Sequence, residues 1–198
     1  MTDLRTASPQ PPTTRGAWRR SVLRWMVSFV GFPLGGLAAI ILTGPVDGLT
    51  AALGGGLVTG AFLGAAQAWA LGDLGPRPMA WVAATAGGLM TGLALGVSLV
   101  DYRTGLGDLV VQGAVCGAVV GLAQAAVLLP RLGRVALWWP VALAGIWAAG
   151  WATSTSIGID VGEQFTTFGS SGAIVVTLLT AALPVLLGRS ARTAGTAS

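Results

Sequence analysis

Apolar residues run almost unbroken for about twenty positions at a time, and short interruptions rich in Gly, Pro, Asp or Arg separate the runs. Six runs fall near 23–43, 49–71, 79–100, 109–129, 135–158 and 168–188. A helix rises ~1.5 Å per residue, so each run is long enough for a hydrocarbon layer ~30 Å thick. Lipid offers the backbone no hydrogen-bond partners, which favours helices over long open strands. The pattern predicts an all-α integral membrane protein with six transmembrane helices.

Within the runs the chain repeats itself. GLVTGAFLGAAQ, Gly56 to Gln67, returns 57 residues later as GAVCGAVVGLAQ, Gly113 to Gln124, with three glycines and the glutamine at the same spacing. The odd runs share a second phrase: Trp25, Gly31 and Gly36, then Trp81, Gly87 and Gly92, then Trp139, Gly145 and Gly150. The sixth run keeps Gly172 and places Val176, Thr180 and Leu183 in the remaining slots of the even phrase. Three tandem helical hairpins of about 57 residues follow, with repeats at about 23–76, 77–134 and 135–188.

Glycine at every fourth position leaves one face of a helix bare, so that another helix can approach closely. Gln67 and Gln124 continue those bare strips. A carboxamide facing lipid is costly, so both should turn towards a neighbouring helix, either as packing elements or as part of a substrate site. The repeated tryptophans stand near the arginine-bearing ends of their helices, where an interfacial belt is expected.

All eleven basic residues are arginine. Arg5, Arg15, Arg19, Arg20 and Arg24 precede or open the first run, Arg77 lies in the second connection, Arg131 and Arg134 in the fourth, and Arg189 and Arg192 after the sixth. Arg103 alone falls on the other side. The positive-inside bias puts both termini in the cytoplasm, with residues 1–22 a disordered basic tail, 23–188 the membrane domain and 189–198 a second tail. WRRSVLRW resembles a twin-arginine export signal, but the apolar runs behind it favour an anchor flank. The expected surroundings are a bilayer, the bacterial plasma membrane, with no nucleic-acid partner. Oligomeric state is not encoded in any pattern of this kind.

Composition narrows the chemistry. The chain is 54% hydrophobic and 9% charged, with mean hydropathy +0.77. It has no histidine and one cysteine, Cys116, so neither a metal centre nor a disulfide framework is expected. No Gly-rich nucleotide motif is present, and no cofactor is expected. Asp47, Asp101, Asp108, Asp160 and Glu163 fall in the three connections opposite the arginines, whereas Asp3 and Asp73 fall on the arginine side. They are either turn residues or a set of converging carboxylates. Carboxylates at an apolar boundary can hold a proton, and indole faces stabilise cations.

On that inventory the chain resembles the small integral-membrane terpene cyclases of actinobacterial natural-product pathways. The resemblance implies Asp101 or Asp160 as general acid, assisted by Tyr102, Glu163 and Asp47, with Trp147 and Trp151 as cavity walls against a lipophilic prenyl substrate. Gln67 and Gln124 are further candidate substrate contacts. The G-x3-G-x3-G-x2-Q repeats also resemble a group of small six-helix bacterial membrane proteins, a likeness that implies no activity. Two other readings stand beside the cyclase: a small-molecule carrier or substrate-capture subunit, and a structural or assembly protein.

Overall fold

The computed structural model describes residues 14–158 and 170–195, and every element among them is helical. The elements are α1 (Thr14–Val27), α2 (Gly31–Thr43), α3 (Leu49–Leu71), α4 (Pro78–Leu99), α5 (Leu106–Leu132), α6 (Trp139–Ser156), α7 (Ser170–Thr180) and α8 (Ala182–Gly195). Helix thus continues past the expected edges of the membrane domain, into residues 14–22 and 189–195.

Five helical stretches of the described residues are long and apolar enough to cross a membrane: Trp18–Thr43, Leu49–Leu74, Pro78–Leu99, Leu106–Ser156 and Ser171–Thr193. The fourth, of 51 residues, folds back on itself. Gly113 of α5 meets Trp151 of α6 while Gly121 meets Pro140, so α5 and α6 run antiparallel. The reversal follows Gly133, whose φ of 54° lies in the left-handed region.

Packing proceeds in chain order around a ring. α2 packs on α3, α3 on α4, α4 on α5, α5 on α6 and α6 on α7, and α1 closes the ring against α7 and α8. Three glycine strips lie at these contacts. On α3, Gly56, Gly60 and Gly64 lie against Leu89, Ala86 and Val82 of α4; on α5, Gly113, Gly117 and Gly121 lie against Trp147, Leu143 and Pro140 of α6. On α4, Gly88, Gly92 and Gly96 sit against Val120, Cys116 and Gln112 of α5. A methyl at Gly60 would stand 2.6 Å from the Ala86 Cα, so only a bare backbone permits this approach.

The two helices at the closing seam are interrupted. Residues 28–30 form a tighter turn between α1 and α2, just ahead of Pro33, and α7 gives way to α8 at Ala181, just ahead of Pro184. In both places proline supplies no N–H to the helical ladder and its ring crowds the carbonyl four residues earlier.

At the far end of the bundle α2, α4 and α6 stop at Thr43, Leu99 and Ser156, each followed by a residue with positive φ. Gly44 (φ 75°) directly follows α2, while Asp101 (φ 53°) and Gly158 (φ 78°) are each the second residue after their helices. Asp101 N–H reaches Ser98 O at 3.4 Å and Tyr102 N–H reaches Val97 O at 2.9 Å, a Schellman-type stop in which an aspartate stands where the third hairpin has Gly158. Tyr102 is left-handed as well, with φ 56°.

Candidate functional site

The glutamines of the repeats and Thr180 are among the buried polar side chains. Trp81 of α4 donates its indole N–H to Gln67 Oε1 of α3 at 3.2 Å. Trp139 of α6 donates to Gln124 Oε1 of α5 at 2.8 Å. Trp25 of α1 donates to Thr180 Oγ1 of α7 at 3.1 Å. In each pair the odd helix of one hairpin bonds the even helix of the hairpin before it, and the third pair carries the rule around the seam from the first hairpin to the last. The sixth run has Leu183 in the glutamine slot, and Thr180, one turn earlier, supplies the acceptor in its place.

These contacts correct the interfacial expectation for the repeated tryptophans. Trp25, Trp81 and Trp139 are only 1%, 1% and 8% exposed. A carboxamide or hydroxyl on the neighbouring helix satisfies each indole N–H, which makes burial inexpensive. Trp138 and Trp69, by contrast, are exposed as a belt residue would be, and the Arg24 guanidinium lies 5.3 Å from the Trp69 ring centroid. The signal that could have found the buried set is the interval from Gln to the next repeated Trp, 14 residues in one repeat and 15 in the other.

Gln67, Gln124 and Thr180 also line a cavity on the axis. Trp25, Phe32, Trp139 and Trp147 form its aromatic walls, and the Phe32 and Trp147 rings meet at 6.1 Å with a 59° tilt. The space open to water centres is about 10 Å³, room for about one water molecule. Both ends of the Gln124 carboxamide are engaged, since its Nε2 donates to Thr85 Oγ1 at 2.9 Å while its Oε1 accepts from Trp139. Gln67 has only its oxygen engaged, since its amide nitrogen makes no hydrogen bond among the described residues.

The other sequence candidates are divided. Trp147 reaches the axial cavity, and Trp151 is buried against Gly113 of α5. Asp47, Asp101 and Tyr102 are exposed at the opposite end of the bundle, and neither aspartate side chain makes a hydrogen bond or ion pair among the described residues. Asp108 pairs with Arg103 at 3.0 Å, across the turn that opens α5. Asp160 and Glu163 lie outside the described residues. Ten residues separate Trp147 from Ile157 at the end of its helix, about 15 Å at ~1.5 Å per residue. The structure therefore brings the glutamines and Trp147 together and leaves Asp47, Asp101 and Tyr102 apart from them.

No three acidic or thiol side chains among the described residues gather as a metal site. Comparison with protein-family models, curated proteins and solved structures finds no match for this chain.

Proposed function

We propose that the protein is a six-pass scaffold of the bacterial plasma membrane, with both termini in the cytoplasm, whose residues serve helix assembly rather than catalysis. One observation carries this reading: the side chains that recur between hairpins are consumed by packing. The even-helix glycines let helices approach, and the tryptophans, glutamines and Thr180 bond one another across helix boundaries. The antiparallel fold-back of α5 and α6 supports six crossings, and the arginines at the connections after α3 and α5 support cytoplasmic termini.

The cyclase reading asks for an acid and aromatic walls around one prenyl-sized space. Here the exposed Asp47 and Asp101 stand far from an aromatic cavity with room for about one water. The carrier reading asks for a comparable space, and the same cavity weighs against it.

Membranes containing the protein, incubated with prenylated indoles and polyprenyl epoxides, should yield no product beyond that of membranes lacking it. A cyclised isomer of unchanged mass that requires the protein would overturn the scaffold reading. Topology is tested separately by single-cysteine labelling in a Cys116→Ala background: Asp47→Cys and Thr104→Cys should react from outside the cell, and Asp73→Cys and Gly133→Cys only after permeabilisation. The reverse pattern would overturn the orientation.

A further inference from the structure

We infer that the axial cavity is a hydrogen-bonding site for a single water molecule, which joins α3, α5 and α7 across the bundle axis. Three observations meet there. The first is a donor without a protein partner: Gln67 is 8% exposed, lines the cavity, and its amide nitrogen makes no hydrogen bond among the described residues. The orientation of that amide is set by chemistry, because the Trp81 indole can only donate and so requires the carboxamide oxygen. The nitrogen is left on the remaining side.

The second observation is two acceptors with capacity to spare among the residues that line the same cavity. Gln124 Oε1 accepts once, from Trp139. Thr180 Oγ1 accepts from Trp25 and donates its own proton to Val176 O at 2.7 Å. Each oxygen keeps a lone pair free. The third observation is size: about 10 Å³ open to water centres, near the lower limit for one water and far below what an organic ligand needs.

A water at this position accepts from Gln67 Nε2 and donates to Gln124 Oε1 and Thr180 Oγ1. Three partners is the usual complement of a buried water. The repeat shows why the need arises at Gln67 and not at Gln124. Gln124 Nε2 has Thr85 as its acceptor on α4, four residues after Trp81. The residue four after Trp25 is Phe29, which offers no side-chain acceptor, and the Ser28 hydroxyl beside it is turned back to Trp25 O at 2.7 Å.

The test is nuclear magnetic resonance of the full-length, 15N-labelled wild-type protein in lipid nanodiscs, with side chains assigned by triple resonance. Transfer from water to the Gln67 side-chain amide should appear with opposite sign in laboratory-frame and rotating-frame experiments, the signature of a long-lived bound water rather than of proton exchange. Xenon, which enters dry apolar cavities, should leave the Gln67 and Leu63 signals unmoved. A Gln67 amide signal without such transfer would overturn the inference, and so would a saturable xenon shift at those residues.

Discussion

Trp139 and Gln124 are joined at 2.8 Å by an indole-to-carboxamide hydrogen bond, and the same carboxamide donates its N–H to Thr85 Oγ1 at 2.9 Å. One glutamine on α5 thus ties α6 to α4. Gln67 on α3 ties only α4, through Trp81. Gln124→Leu strands a buried indole donor and removes the Thr85 contact, whereas Gln67→Leu strands one indole. Interhelical hydrogen bonds in membranes average about 0.6 kcal/mol and reach about 1.7. Thermal unfolding in detergent should therefore place Gln124→Leu below Gln67→Leu. Adding Trp139→Phe to Gln124→Leu should cost less than the sum of the two single changes, because the donor goes with its acceptor. Strict additivity would show that the pair is not coupled.

The glycines divide into two classes that thermal denaturation can separate. A Cβ at Gly60 would meet the Ala86 Cα at 2.6 Å and one at Gly56 the Leu89 carbonyl oxygen at 2.7 Å, whereas one at Gly87 or Gly145 meets nothing within 4 Å. Gly60→Ala and Gly56→Ala force helix backbones apart and should each cost ~1–3 kcal/mol. Gly87→Ala and Gly145→Ala add no clash and should be neutral or stabilise by up to ~1 kcal/mol through helix propensity. Equal losses at all four positions would mean that close approach is not what the strip provides.

The contrast also marks how far the sequence could be read. The even-helix phrase signalled a bare strip, and all six of its glycines in α3 and α5 touch the following helix. The odd-helix phrase was equally regular, yet a Cβ at Gly87 or Gly145 would meet nothing within 4 Å, while Gly88, one residue outside the phrase, packs against Val120. Period alone does not say which face of a helix meets a partner when apolar residues surround it on every side and lipid replaces water. The tryptophans show the same limit. Their position near the helix ends suited a belt, and only the matching interval to a glutamine on the adjacent helix distinguishes a buried, bonded indole from an interfacial one. The three acidic tips are not repeats of one position: Asp47, Asp101 and Asp160 look alike in their short phrases, but 57 residues after Asp47 stands Thr104, and 57 after Asp101 stands Gly158.

The seam should be the weakest contact of the ring. There the even-helix strip has lost two glycines, Pro33 and Pro184 interrupt both partners, and Trp25 relies on a threonine hydroxyl in place of a carboxamide. Backbone amides of α7 and α8 should consequently exchange with deuterium sooner than those of α3 to α5, since local opening begins where buried contacts are fewest. Thr180→Val, which keeps the shape and removes the acceptor, should accelerate exchange in α7 and leave α3 and α4 unchanged. Uniform acceleration through all the helices would indicate that the bundle opens only as a whole.

Asp101 offers the most direct separation of a structural from a chemical role. Its φ of 53° is one that an L-residue holds at a cost of roughly 1–2 kcal/mol, less for aspartate, and that glycine holds freely. The equivalent residue of the third hairpin, Gly158, has φ 78°, and Gly44, which directly follows α2, has φ 75°. Asp101→Gly should accordingly raise the melting temperature, by about 2–4 °C if ~1 kcal/mol of strain is relieved in a chain of this length. Asp101→Asn should be close to neutral, because asparagine also tolerates the left-handed region. Asp101→Ala should destabilise, since it has neither glycine's freedom nor a side chain that bonds locally. That order, glycine above aspartate and asparagine with alanine last, is what a helix stop requires. A general acid would instead show its loss equally in the glycine, asparagine and alanine variants, and in turnover rather than in stability.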